Sequence, residues 1–209
     1  MTPDASDTAE LSIDLLTEHW QGHLAAAVDL EPLLPAVAAV ADELIACYVR
    51  GGVLYTFGNG GSAADAQHLA GEMIGRYLRE RRPLPAVALS TDPSVSTCIA
   101  NDYGYDDVFS RQVIALARAG DMVIGFSTSG TSPSVVTGLA AARAAGAFTV
   151  LFTGQRADPE VVAGLVDIAL IAPVPQTARV QELHVLMLHM ISDLVDRWAV
   201  ETQPPAQER

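Results

Sequence analysis

Two β-rich runs in the sequence end in loops of small polar residues, and a helical pattern directly follows each loop. The run Val53–Phe57 leads into Gly58-Asn59-Gly60-Gly61-Ser62, and the run that begins at Asp121 leads into Ser127-Thr128-Ser129-Gly130-Thr131-Ser132. Similar β-rich runs lie at Pro85–Ser90, Phe148–Gly154 and Asp167–Ala172. Strands that alternate with helices predict a parallel sheet with helices on both faces. We therefore expect an α/β fold, a three-layer αβα sandwich.

The two ends of the chain carry longer helical patterns. Apolar residues recur at helical spacing from Ala9 to about Arg50, and Glu31-Pro32 divides this stretch into two helices before the first strand. One long helix is predicted from about Thr177 to Val200. The length allows one core, so we predict a single domain over residues 8–201 with flexible tails at 1–7 and 202–209.

The chain is acidic, with a formal net charge of −13 and a sequence pI near 4.5. Such a surface repels nucleic-acid backbones and anionic lipids, so neither nucleic acid nor a membrane is an expected partner. The cysteines, Cys47 and Cys98, form no metal-binding or disulfide pattern, which favours a reducing compartment. Because no signal peptide and no uninterrupted run of about 18 apolar residues is recognisable, we expect a cytoplasmic protein.

Both polar loops are of a type that binds anions. They follow the carboxyl ends of strands and precede helices, which is where open parallel sheets bind ligands. Unpaired N–H groups and the positive end of the helix dipole attract an anion there, glycine lets the backbone approach it, and hydroxyls add donors. The same residues serve as ordinary turn and N-cap residues, but two such loops favour a binding site. Neither loop matches a dinucleotide fingerprint or a phosphate-loop lysine motif, so a small phosphoester is the expected ligand.

Candidate acid–base and metal-binding residues lie on two predicted helices. His68 and Glu72 are four residues apart and project from one face of their helix, which suits two metal ligands or a ligand beside a catalytic carboxylate. An ordinary surface pair has the same spacing. The last helix adds polar residues to an otherwise apolar segment: Gln181, Glu182, His184 and His189. Buried polar groups need partners, but helical geometry alone does not choose among these four.

Four ordered segments of the sequence resemble a known family. They are GNGGSAADAQHLAGEMIGRY, CIANDYGYDDVFSRQV, FSTSGTSPSV and TARVQELH, and the resemblance extends from about Ala9 to Ala199. The sequence is similar to the phosphoheptose isomerases of the sugar isomerase (SIS) superfamily. This resemblance implies the SIS fold with a five-stranded parallel sheet and extra N-terminal helices, and a homotetramer with sites at subunit interfaces. It also implies conversion of sedoheptulose 7-phosphate into D-glycero-D-manno-heptose 7-phosphate.

The resemblance further implies roles for individual residues. One Zn²⁺ per subunit would be bound by His68, Glu72, Gln181 and His189. Glu72 would also be the base, and His189 the acid, of an isomerisation through an enediol. The substrate would contact both loops, an acidic side chain and the glutamine ligand, namely Asn59, Gly60, Gly61, Ser62, Asp102, Ser127, Thr128, Ser129, Ser132 and Gln181. His184 and Glu182 would be supporting residues.

Two positions depart from the family pattern, and two other functions share the fold. Ala178 stands where some members have Asp, and Thr131-Ser132-Pro133 replaces a more usual Asn-Ser.

A related protein binds the DnaA replication initiator, but it lacks the Glu and the His that stand here at Glu72 and His189, so we favour the enzyme. A phosphosugar-sensing regulatory domain is disfavoured because this acidic chain has no DNA-binding module.

Overall fold

The structure, a computed structural model, describes the backbone of residues 5–202 and the side chains of residues 12–202. Over these residues the strands are β1 (Leu54–Gly58), β2 (Ala86–Ala88), β3 (Met122–Phe126), β4 (Phe148–Gly154) and β5 (Ile168–Ala172). The α-helices are α1 (Ala5–Asp29), α2 (Leu34–Val49), α3 (Gly61–Ile74), α4 (Pro93–Asp102), α5 (Ser110–Leu116), α6 (Pro133–Ala144), α7 (Pro159–Leu165) and α8 (Thr177–Glu201). Short 3-10 turns lie at Glu31–Leu33 and Tyr105–Asp107.

The five strands form one parallel sheet in the order β2-β1-β3-β4-β5. The predicted α/β sandwich with a five-stranded parallel sheet is therefore confirmed. The strand order reverses between β1 and β3, where Gly58 pairs with Phe126. The first loop (Gly58–Ser62) and the second loop (Ser127–Ser132) consequently lie side by side at the carboxyl edge of the sheet. Sheets of this kind bind ligands at that switch point.

Helices cover both faces of the sheet and enclose two hydrophobic clusters. Along β1, Leu54 belongs to the cluster that α2, α3 and α8 cover, whereas Tyr55 and Phe57 belong to the cluster that α5 and α6 cover. This alternation follows from the two-residue period of a strand, and both sets are buried because helices lie on both faces. The helices with the predicted acid–base residues, α3 and α8, lie on the same face and contact each other.

The N-terminal helical stretch is divided at residues 30–33, as Glu31-Pro32 predicted. By length and composition alone, Ser12–Val49 contains a window of 18 residues that is apolar enough to cross a membrane, with a mean hydropathy of 1.7, a property that core helices share. In the structure α2 contributes Val40 and Leu44 to the core. The first helix keeps a stripe of exposed apolar residues at helical spacing: Ile13, Leu16, Trp20 and Leu24.

Some boundaries differ from the sequence prediction. α3 begins at Gly61 and ends at Ile74 rather than spanning 63–77, because the glycine joins the first turn and the backbone leaves the helix at Gly75. α1 begins at Ala5, inside the predicted tail 1–7, while residues 1–4 and 203–209 of the predicted tails lie outside the described residues. The short helices α4, α5 and α7 were not predicted, since ten residues or fewer give little periodic signal.

Candidate active site

The first loop turns sharply from β1 into α3, and glycines at two positions shape this turn. Gly60 has a φ of +56° and directly precedes α3. A Cβ atom at Gly61 would lie 2.3 Å from Nε2 of Gln181, so a larger residue would displace that side chain. Ser62 is buried in the first turn of the helix. The loop therefore brings backbone to the start of a 14-residue helix, as an anion site requires.

Side chains from two other elements hold Asn59 of the first loop. Its Nδ2 donates to Oγ of Ser134 in α6 at 2.9 Å. Its Oδ1 accepts a hydrogen bond from the Tyr105 hydroxyl at 2.8 Å. The residue predicted to contact substrate thus joins the first loop to α6 and to the 3-10 turn of Tyr105. Sequence reasoning missed Tyr105, because an exposed tyrosine in a turn has no spacing that marks it.

The second loop is cross-linked by its own hydroxyl groups. The Ser127 hydroxyl donates to Ser132 Oγ at 3.3 Å. Thr131 donates to Ser129 Oγ from its backbone N–H at 3.2 Å and from its hydroxyl at 3.1 Å. Pro133, one of the departures from the family pattern, begins α6, where a missing N–H costs no helical hydrogen bond. The proline is therefore compatible with a helix N-terminus at this loop.

Asp102, a predicted substrate residue, lies at the end of α4 and outside both loops. It is exposed, and Asn101 Nδ2 donates to its Oδ1 at 2.7 Å and Cys98 Sγ donates to its Oδ2 at 3.7 Å. Both of these hydrogen-bond partners lie within α4. A contact between Asp102 and substrate remains a prediction.

His68, Glu72 and His189 meet where α3 packs against α8. Nε2 of His68 lies 3.0 Å from Oε1 of Glu72 and 3.3 Å from Nε2 of His189. One ligand atom from each residue lies within 4.8 Å of the others, which is close enough to hold one metal ion. Helical spacing predicted the first two residues as a pair, whereas the third was implied by the family resemblance and lies 121 residues further along the chain than His68.

Two of the distances within this cluster are close to those of a tetrahedral metal site. Zinc bonds of about 2.0–2.2 Å to nitrogen and oxygen place neighbouring ligand atoms about 3.3–3.5 Å apart at tetrahedral angles. The separations of 3.0 and 3.3 Å are close to that value. Two imidazoles and a carboxylate also form a donor set that zinc accepts. All three side chains are half-buried, so a ligand can reach them.

The surroundings of His189 keep its imidazole neutral at neutral pH. Burial lowers the pKa of His189 and the nearby His68 lowers it further, against the opposing effect of Glu72. Tyr77 stacks on the ring with centroids 5.1 Å apart, which fixes the ring orientation. A neutral imidazole accepts a metal ion or a proton on one nitrogen and donates from the other.

Two of the remaining polar residues of α8 lie away from the cluster. The amide of Gln181 lies against Gly61, and its position on α8 is about 12 Å from that of His189 along the helix axis. Its role as a fourth ligand remains a prediction. Glu182 faces α1, where its Oε2 lies 2.7 Å from Nδ1 of His23. Glu182 therefore supports helix packing. Ala178 is exposed and lines a shallow cavity between α1 and α8.

His184 is completely buried between the helices and the sheet. Its Nε2 lies 3.2 Å from the carbonyl oxygen of Thr153, so this nitrogen carries the proton and Nδ1 faces Asp65 Oδ2 at 3.9 Å. Burial lowers the pKa of His184 to about 4 and raises the pKa of Asp65 to about 6. His184 is thus a neutral core residue beside the cluster.

Comparison with known proteins identifies the family. The sequence profile of the SIS domain matches residues 27–154. A phosphoheptose isomerase from Roseiflexus sp. (strain RS-1) is 49% identical over 172 residues, which cover 82% of this chain and 86% of that protein. The chain belongs to the phosphoheptose isomerase family. It is therefore an SIS-domain isomerase, as the sequence motifs implied.

Solved structures agree with this assignment. The phosphoheptose isomerase of Neisseria gonorrhoeae superposes with a TM-score of 0.82 at 40% identity, over 88% of this chain and 98% of that one. A phosphoheptose isomerase from Francisella tularensis gives a TM-score of 0.84 at 29% identity, over 89% of this chain and 98% of that one. The chain thus shares its overall fold with both enzymes over almost nine-tenths of its length.

Proposed function

We propose that this protein interconverts sedoheptulose 7-phosphate and D-glycero-D-manno-heptose 7-phosphate. The observation that carries the proposal is the convergence of His68, Glu72 and His189 in one cluster. This cluster lies between helices that cover one face of the sheet, and the carboxyl edge of the same sheet holds the two polar loops. This combination provides acid–base groups and a phosphate site in one member of an isomerase family.

The loops bind the phosphate and the sugar hydroxyls. In a chain with a net charge of −13, an anion must be held by local donors, since the overall field repels it. The N-termini of α3 and α6 offer unpaired N–H groups and the positive ends of two helix dipoles. Hydroxyl and amide donors of the first and second loops add to them, together with Gln181 and Asp102.

Glu72 and His189 move the protons. Interconversion of a ketose and an aldose transfers a proton between adjacent carbons through an enediol, so a base must remove the carbon-bound proton and an acid must serve the oxygen. Glu72 is the carboxylate of the cluster, and its side chain is only 17% exposed. His189 is held by Tyr77 and remains neutral, which leaves an N–H to donate toward the oxygen.

One zinc ion per subunit would be held by His68, Glu72, His189 and Gln181. When bound, it polarises a carbonyl group as a Lewis acid. A carboxylate that binds a metal is a weaker base, so Glu72 would serve as the base only while it is not bound to the ion. The cluster geometry supports the first three ligands, and the family resemblance supports the fourth.

The protein works as a cytoplasmic homotetramer with its sites at subunit interfaces, and neither nucleic acid nor a membrane is a partner. The exposed apolar stripe of α1 supports the assembly, since a second copy would cover Ile13, Leu16, Trp20 and Leu24. The acidic surface supports the exclusion of both polyanionic partners.

The test is direct. Purified protein is incubated with sedoheptulose 7-phosphate, with zinc and with a chelator, and the appearance of the aldose is followed by NMR. We expect conversion with zinc and its loss with chelator. Absence of conversion with zinc present would contradict the isomerase proposal and favour a phosphosugar-binding role. A DnaA-binding role has no such support, because the chain has both Glu72 and His189 in one cluster.

A further inference from the structure

A buried ion pair lies at the end of α3, away from the reacting groups. Nε of Arg81 lies 2.8 Å from Oδ1 of Asp196, and both side chains are completely buried. A buried ion pair is a poor source of stability, because desolvation of both charges offsets most of their attraction. Its directional contacts, however, fix the groups that they join.

Arg81 binds the backbone of the helix that carries the base. Its guanidinium donates to the carbonyl oxygen of Glu72 at 2.6 Å and to that of Met73 at 2.7 Å. It also donates to the carbonyl oxygens of Gly75 at 3.2 Å and Arg82 at 2.9 Å. The first two are among the last carbonyls of α3, which have no partner within the helix. One guanidinium thus holds the backbone of Glu72 itself.

Asp196 connects this arrangement to the helix that carries the acid. It lies seven residues after His189 in α8, two turns further on the same face. Its Oδ2 accepts hydrogen bonds from the backbone N–H groups of Leu78 at 2.8 Å and Arg79 at 2.9 Å. The segment after α3 is therefore held against α8 by three hydrogen bonds to one carboxylate.

We propose that Arg81 and Asp196 are a positioning pair that sets the separation of Glu72 from His189 and thereby the affinity of the cluster for a divalent metal. The ligands come from two helices, so their distance depends on how α3 lies along α8. Metal ligands must be held within about 0.5 Å of their working geometry. This inference rests on the metal site of the proposed function.

Asp121 offers a matched control. Asp121 precedes β3 and, like Asp196, accepts two backbone hydrogen bonds, from Val53 at 2.9 Å and from Arg118 at 2.8 Å. Its replacement removes a similar structural carboxylate, whose hydrogen bonds reach the segments before β1 and β3 rather than α3 or α8. Asp196→Asn and Asp121→Asn can therefore be compared as variants that both weaken the fold but differ in whether the lost contacts join the helices that carry the metal ligands.

The experiment measures zinc affinity of the folded, metal-free proteins by competition with a chromophoric chelator, after circular dichroism has shown that they fold. We expect Asp196→Asn to weaken zinc binding about 10–100-fold and Asp121→Asn by less than about threefold. Turnover of Asp196→Asn should recover with excess zinc. Arg81→Lys keeps the charge but loses the planar guanidinium group with its several N–H donors, and we expect a similar loss of zinc affinity. If Asp196→Asn fails to fold, the zinc affinity of Arg81→Lys tests the proposal instead. Zinc affinity equal to that of the unchanged protein would overturn the proposal.

A second measurement separates this inference from the proposed function. If the unchanged protein takes up no zinc, the metal part of the proposed function fails. The positioning role is then tested by NMR of the metal-free proteins, from the chemical shifts of the ring ¹H–¹⁵N signals of His68 and His189. We expect these signals to move in Asp196→Asn and to stay in place in Asp121→Asn. Ring signals that stay in place in both variants would contradict the positioning role.

Discussion

The two halves of the candidate active site are held together in different ways. The helix seam is the contact of α3 with α8 that carries His68, Glu72 and His189, and there His189 of α8 lies against His68 of α3. In the second loop, most hydroxyl contacts stay within the loop itself. A proton transfer needs one donor in one direction, whereas a phosphate accepts hydrogen bonds from many directions. The proposed function therefore assigns the chemistry to helices and the substrate binding to loops.

This difference predicts that changes in the helix seam lower kcat and that changes in the loops raise KM. Glu72→Gln should give the largest effect, a loss of kcat of about 10³-fold or more, because the amide cannot take up the carbon-bound proton. Substrate binding should change little. Steady-state kinetics and isothermal titration with sedoheptulose 7-phosphate measure both quantities. Glu80→Gln, an exposed carboxylate on the same side of the molecule, is the control, and retained turnover in Glu72→Gln would refute the base role.

In the second loop, Ser132→Ala should raise KM about tenfold and leave kcat within about threefold, since a hydrogen bond to a charged phosphate contributes about 1.5–3 kcal/mol. Ser132 has no side-chain hydrogen bond to the start of α6, so its hydroxyl is available for this role. Ser94→Ala in α4 provides the control. A fall in kcat without a change in KM would show that the loop takes part in the chemistry.

Within the helix seam, His184 and Asp65 should make opposite contributions to pH-dependent stability. The pKa of His184 is lowered from 6.5 to about 4, so the unfolded chain binds the proton first and stability falls as pH drops through this range. The pKa of Asp65 is raised from 3.8 to about 6, so the folded chain binds its proton first and stability rises as pH drops.

The two contributions largely cancel, and single variants should separate them. Between pH 6.5 and 5, Asp65→Asn should lose about 1–2 kcal/mol of unfolding free energy and His184→Gln should gain about 1 kcal/mol, as measured by urea denaturation. The unchanged protein should vary less than either variant. Parallel pH profiles for all three proteins would contradict the assigned pKa shifts.

The smallest expected effect concerns the contact between the first loop and its neighbours. Tyr105→Phe removes the hydroxyl that binds Asn59 Oδ1 but keeps the ring. We expect KM to rise about two- to fivefold at constant kcat, the effect of losing one neutral hydrogen bond of about 0.5–1 kcal/mol. Tyr103→Phe, on the same segment, is the matched control. If both substitutions raised KM equally, the hydrogen bond from the Tyr105 hydroxyl would not be the contact that holds the loop.

The sequence predicted the elements whose signals are local. Alternating strands and helices indicated the parallel sheet, and the four-residue spacing of His68 and Glu72 indicated a shared helix face. Asp-Pro pairs at Asp92 and Asp158 are N-cap and first-turn signals that would have marked the starts of α4 and α7.

Contacts between elements left no such signal. Arg81 lies in a run of charged residues typical of a solvated surface, yet its side chain is completely buried. The choice of His189 over His184 needed the family resemblance, because packing of α8 against α3 decides which histidine faces the cluster. The roles of Tyr105 and Asp196 could be recognised only from the three-dimensional structure, because their partners are distant in sequence.

The position of His189 in α8 has a consequence for biosynthesis. His68 and His189 are 121 residues apart, and α8 is the last helix of the described chain. A nascent chain that has emerged through β5 holds two of the three clustered ligands and lacks the helix that covers α2 and α3. Completion of the proposed metal site and of this face of the core is therefore a single late event, and a chain truncated before α8 loses both together.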